Sequence, residues 1–192
     1  MLPVALAVAC VATPAPARAQ DDGAAGDIRG FDPAHTRFRF DVRTRWGQTV
    51  GGVFPRWQAR LVELGDGRRR VHVALDAGAV HVEGAPRWTA MARGPQFFHA
   101  AAHPRIEFVS EPHAAALART GGPMRGHVTL HGVRRAETFV VEPGACARPG
   151  EDCDVVVRGR VSRAAYGLRA YGFALGDSVR FTLRLRLAPL RS

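Results

Sequence analysis

The chain contains no lysine: all 27 of its basic residues are Arg, and against 17 acidic residues they give a formal net charge of +10. The arginines fall singly at alternate positions, not in dense blocks interleaved with aromatics, so the pattern is not that of a nucleic-acid-binding face. The missing lysine reads as a compositional bias, and the charge equally suits acidic lipid headgroups. Serine is scarce, limited to Ser110, Ser162, Ser178 and Ser192, and no GxSxG elbow occurs. No phosphate-binding loop is present, since Gly51-Gly52 lies within a strand region and lacks the lysine such loops use. No apolar run approaches the roughly 18–20 residues that a membrane-spanning helix requires. Cysteine is limited to Cys10, Cys146 and Cys153.

The first residues, MLPVALAVACVATPAPARAQ, hold a short apolar stretch followed by prolines and the small-x-small triplet Ala17-Arg18-Ala19. This predicts an export signal over residues 1–19, cut before Gln20, and a protein of the periplasm or the exterior. No positive charge precedes the apolar stretch, and Ala7 stands where a lipoprotein cysteine at Cys10 would have a large aliphatic residue. Cleavage leaves two cysteines, an even count in an oxidising compartment. Cys146 and Cys153 are therefore expected to form a disulfide at a hairpin tip. A zinc site there would need four ligands, and CARPGEDC supplies two cysteines and no histidine. Residues 20–29, small and polar, read as a flexible leader to one folded domain over residues 30–190.

From Gly30 onward the dominant signal is alternation. Phe38, Phe40 and Val42 share one face of RFRFDV; Val71, Val73 and Leu75 share one face of RVHVAL. Val128 and Leu130, and Phe181, Leu183, Leu185 and Leu187, repeat the pattern against polar neighbours. Period two with one apolar face marks half-buried antiparallel strands. Further strands are expected over 50–63, 104–111, 137–142 and 154–161. Gly65-Asp66-Gly67, Gly121-Gly122-Pro123, Pro143-Gly144 and Gly176-Asp177 punctuate them. Short helices are expected over 86–93, where Trp88 and Met91 share a face, and over 112–119. The fold class is all-β, a sandwich or a barrel.

Groups able to do chemistry are dispersed. Of eight histidines, His99 and His103 have helical metal-pair spacing, but Pro104 disfavours helix at His103. His127 and His131 lie about 13 Å apart along a strand, too far to share an ion. Neither a metal site nor a cofactor is expected. The carboxylates Glu63, Asp66, Asp76 and Glu83 sit at turns or outward positions, with no pair placed for acid–base work. The chain is expected not to be an enzyme.

Four stretches in order resemble the YceI-like family of polyisoprenoid-binding, lipocalin-like periplasmic proteins. They are FDPAHTRFRFDV, PQFFHAAAHPRIEFVSE, MRGHVTLHGVRRAETFVV and VSRAAYGLRAY…GDSVRFTLRLRL, covering about residues 31–187. The resemblance implies an eight-stranded antiparallel barrel with a short helical insertion, enclosing an apolar tunnel for a polyprenyl lipid or a quinone. The departures are Thr44, Arg45 and Trp46 where the family often has a His after the first strand, and Ala136 where it often has Pro.

On this reading the inward faces carrying Phe38, Phe40, Phe54, Phe108, Leu130, Phe139 and Phe181 line the tunnel, with Phe98 and Tyr166 near an opening. Arg163 and Arg169, flanking AAYGL, are the headgroup candidates, since guanidinium pairs phosphate in bidentate fashion. Alternation identifies the inner face, but that the interior is hollow is implied by the resemblance alone. The alternative is a packed barrel whose basic surface meets acidic partners or the periphery of an anionic membrane.

Overall fold

Alternating segments become strands in the computed structural model, which describes residues 27–189. In chain order the strands are β1 Ile28–Gly30, β2 Arg37–Thr44, β3 Thr49–Val53, β4 Trp57–Glu63, β5 Arg68–Asp76, β6 His81–Val82, β7 Arg105–Ser110, β8 His113–Ala114, β9 Gly122–Leu130, β10 Val133–Val141, β11 Val155–Ser162 and β12 Leu175–Leu185. Two helices join them, α1 Pro86–Arg93 and α2 Leu117–Thr120. The expected export signal over residues 1–19 and most of the expected leader lie outside the described residues.

All twelve strands belong to one antiparallel curled sheet, in the order β1-β4-β5-β7-β9-β10-β11-β12-β2-β3-β6, with β8 paired to β5. The sheet's end strands are only three and two residues long, and each is tied across the seam. β6 follows β5 in the chain through one 3-10 turn and pairs with β3. At the other end Phe31 bridges Leu187, and the Ala188 N–H donates to the Gly30 carbonyl at 3.0 Å. Short, tied ends leave no long strand edge open to pair with another chain.

Side-chain polarity dictates which face turns inward. In β2, Phe38, Phe40, Val42 and Thr44 are buried while Arg37, Arg39 and Arg43 are exposed. The core is one apolar cluster inside the curl, to which β2, β5, β9, β10, β11 and β12 each give alternate residues.

The eight expected strands differ from the twelve observed for identifiable reasons. The run 50–63 divides into β3 and β4 around Phe54-Pro55-Arg56, because Pro55 has no N–H to give the ladder. β1, β6 and β8 are too short to show a period. Ile28 and Arg29 belong to β1 and not to a flexible leader, and Arg29 pairs with Glu151 at 2.6 Å. The helix expected over 86–93 is α1. The segment 112–119 instead gives β8 and then α2, because His113 and Ala114 continue β5's ladder opposite Arg69 and Arg68 once β7 has ended. Ladder completion there overrides the helix propensity of the alanines. Between β7 and β8 the register slips, and Ser110 fills the gap: its Oγ accepts the Val71 N–H at 2.9 Å.

Cys146 and Cys153 are disulfide-bonded, with Cα atoms 6.1 Å apart, in the loop between β10 and β11. The Gly150 carbonyl accepts the Leu187 N–H at 2.6 Å, so the bridged loop is fastened to the end of the sheet's longest strand. The closed loop is short, and loop-closure entropy gives it about 2.5 kcal/mol at most. Replacing both cysteines with Ser should therefore lower the melting temperature by at most roughly 5–10 °C in a domain of this size. Calorimetry of variant and parent reads this directly, and a collapse of the fold would show that the bridge does more than hold its loop.

Candidate functional site

Inside the curl, apolar space runs in three stacked chambers. β12 maps their order: Leu175 and Val179 face the first, Phe181 the first and the middle, Leu183 the middle, and Leu185 the far one. β9 repeats it in reverse chain order, with Leu130 at the first, Val128 at the middle and Met124 at the far chamber. Six residues of extended strand span about 20 Å, the length over which these walls are apolar.

The first chamber, a cavity of about 50 Å³ partly open to solvent, lies under α1, which contributes Trp88, Met91 and Ala92. Phe40, Phe98, Leu130 and Phe181 line it, joined by Phe97 and Leu168. Phe108, Phe139 and Phe181 line the middle cavity of about 40 Å³. The far cavity, about 70 Å³, is capped by Pro149 and Gly150 of the disulfide loop and by Leu117 of α2. The passages between them are narrow. Phe181 and Val161 form the shared wall of the first two chambers, and Phe108 meets Phe139 edge-on at 5.0 Å.

Three inward phenylalanines lie flat against glycines of neighbouring strands. A Cβ at Gly159 would stand 2.1 Å from Phe139, one at Gly52 2.6 Å from Phe40, and one at Gly126 2.6 Å from Phe108. Each of these glycines occupies an inward strand position, so the ring settles into the notch and lies along the chamber wall. Glycine covered by a neighbouring aromatic ring is a recurrent way to stabilise it in a strand.

Other expected lining residues act behind the wall. Phe38 is 2% exposed and packs against Trp57, while Phe54 packs between Phe40 and Phe98; neither reaches a chamber. Tyr166, expected near an opening, is fully buried. Its hydroxyl donates to Glu137 at 2.9 Å, and burial followed by that bond drives its phenol pKa far upward. Trp88, Met91, Phe97 and Leu168 are lining residues that strand alternation could not reveal, because they lie on a helix and in loops.

The two headgroup candidates separate. Arg169 is exposed and lies outside all three chambers. Arg163 is 3% exposed and lines the first chamber. Its Nη2 donates to the Ala170 carbonyl at 2.6 Å and its guanidinium lies 5.2 Å from the centre of the Phe97 ring. Burial lowers its pKa, with Asp177 opposing, and a guanidinium still keeps its proton. No carboxylate forms an ion pair with Arg163 among the described residues.

Polar groups at the far chamber set a pH dependence. His113 and Arg69 border it. Burial, above all, lowers the His113 pKa, with Arg69 adding to the shift and the Glu111 carbonyl opposing it. Burial also lowers that of His72 on β5, beside Arg60 and Arg70. A folded pKa below the unfolded value of about 6.5 means that stability is full above that pH and falls as pH drops toward the folded pKa. The melting temperature should therefore decline between about pH 6.5 and 5, before the carboxylates titrate. His113→Gln should flatten that slope, and an unchanged slope would exclude His113 as its source.

Comparison with known proteins follows the same outline. A family model described as the YceI-like domain matches residues 30–187. Among solved structures, Burkholderia cenocepacia BcnA is 17% identical with a TM-score of 0.67, covering 83% of this chain and 99% of its own. A polyisoprenoid-binding domain from Saccharophagus degradans, implicated in plant cell wall breakdown, is 14% identical with a TM-score of 0.59, covering 82% of this chain and 95% of its own. A Campylobacter jejuni YceI protein is 16% identical with a TM-score of 0.58, covering 72% and 84%. No curated protein matches the sequence.

Proposed function

Because the chain belongs to the YceI-like family, we propose that it is an exported binding protein, not an enzyme, that carries or stores one long isoprenoid lipid or quinone inside the sheet. The observation that carries this reading is the series of three apolar chambers with a buried, unpaired arginine at one end. An isoprenoid tail is insoluble, and burial is worth about 0.8 kcal/mol per CH₂. The Saccharophagus domain, described as polyisoprenoid-binding, supports the ligand class. The tail runs from the first chamber toward the disulfide loop as the dividing rings turn aside. The polar head stays by Arg163, whose guanidinium offers paired donors to a phosphate or a quinone oxygen.

Loading is proposed at the end nearest the first chamber, where Trp46 and Phe173 are 71% and 78% exposed. They sit on segments joined by the Arg45 N–H to the Ala174 carbonyl, 2.8 Å. Exposed aromatics beside arginines suit the headgroup level of an anionic membrane.

Organic extraction of the purified exported protein, followed by mass spectrometry, tests the reading. A stoichiometric prenyl-type molecule is expected, together with an N-terminus at or near Gln20. Recovery of nothing stoichiometric from protein made in its own host would favour a packed interior that serves surface contacts alone.

A further inference from the structure

Three histidines from separate segments converge beside the first chamber. Pro104 argues against a helical pairing of His99 with His103, and strand spacing separates His131 from His127. The first objection fails locally, and His131 meets other partners. The Ala102 and His103 N–H groups donate to the His99 carbonyl at 2.9 and 2.8 Å. A single helical turn thus closes just before Pro104 and sets His99 and His103 on one face. His131 has left its strand: with Gly132 it forms the two-residue β9–β10 turn, at φ of 53° and 75°. That geometry ordinarily selects Asn-Gly, and this chain contains no Asn. Turned outward, His131 meets the other two rings, whose centroids lie 4.8 Å (His103) and 6.1 Å (His99) from its own.

One nitrogen from each ring lies within 4.8 Å of the others. His131 Nε2 is buried without a hydrogen-bond partner, so a polar ring nitrogen faces this cluster with nothing else to bond it. Gly132 makes room for the second ring, since a Cβ there would stand 2.9 Å from His103 Cε1. His99 also holds a left-handed backbone, at φ 46°.

We propose that His99, His103 and His131 form a three-imidazole site for one divalent transition-metal ion, with zinc the best fit. The donor set contains no carboxylate and no thiolate, which disfavours calcium and magnesium and suits zinc. Tetrahedral zinc with nitrogens at 2.0–2.1 Å needs them about 3.4 Å apart. Modest rotation of the three rings closes that gap and leaves a fourth position for water or another ligand. The site does not depend on any lipid in the interior.

The test uses untagged protein stripped with chelator and titrated calorimetrically with Zn²⁺, then with Co²⁺ for its visible spectrum. One ion per chain is expected, with a four-coordinate Co²⁺ band. His131→Asn, which suits the same turn, and His103→Gln should each weaken Zn²⁺ binding by about tenfold or more. His35→Gln, at an exposed histidine beside Asp32, should leave it unchanged. Each variant's melting temperature without metal reports on folding, and His103→Gln carries the test if the turn variant fails to fold. No stoichiometric Zn²⁺ on the parent chain, or affinity unchanged from the parent in both cluster variants, overturns the site.

Discussion

Gly159→Val should lose both bound ligand and stability, although no side chain is removed. The added Cβ would stand 2.1 Å from Cδ1 of Phe139. That atom belongs to a stiff ring and not to the end of a flexible chain, so the ring must swing into the middle chamber. Overpacking of this kind costs about 1–3 kcal/mol, or roughly 2–12 °C in melting temperature. The displaced ring then lies across the path of a tail. Gly30→Ala is the control, because nothing stands within 4 Å of a Cβ there. Ligand retained per folded protein is the deciding measurement. A Gly159→Val variant that keeps its full complement of lipid would show that the tail bypasses the middle chamber.

Phe181→Arg should have the larger effect on the fold. Phe181 is 9% exposed and faces both the first and the middle chamber. The substitution deletes a buried ring and adds a cation to a space that already holds Arg163. Either change alone costs about 3–5 kcal/mol, against a total of about 5–15 kcal/mol for a typical domain. Marginal folding and complete loss of ligand are expected. Phe181→Leu should stay folded and bind more weakly. Arg184→Ala, on the outer face, should leave both properties unchanged, since its only ion pair among the described residues is a 3.9 Å contact with Asp154. Ligand loss in Arg184→Ala with retention in Phe181→Leu would mean that the lipid binds outside the sheet.

Strand alternation made the inner face legible before any coordinates. Phe40, Phe108, Leu130, Phe139 and Phe181 were identified because the period-two pattern is imposed by the same solvent boundary that folds the sheet. What it could not show is depth. Phe38 and Phe54 are as apolar as Phe40, but whether a ring meets a chamber or backs the wall depends on partners far along the chain. Arg163 and Arg169 differ in the same way: both flank AAYGL, and only the burial of the first chamber separates them. The motif residues proved to have structural work. Ser110 of IEFVS accepts Val71's N–H across a register slip, and Asp32 of FDPAHT accepts the Ala34 N–H at 2.8 Å. The histidine cluster was illegible for a further reason: it is assembled by a helical turn and a hairpin turn more than twenty-five residues apart, and spacing rules treat each segment alone.

The ties that close the seam also give the molecule a direction. The Asp27 carbonyl accepts from Glu63 at the end of β4, and Ala188 donates to Gly30, so both described ends of the chain leave beside the disulfide loop. The proposed entrance, with Trp46, Phe173 and Arg163, is at the opposite pole. A tether, fusion or surface attachment through either terminus therefore presents the entrance outward, toward whatever lies across the gap. Immobilised by its C-terminus, the protein should exchange ligand with vesicles as readily as it does free in solution.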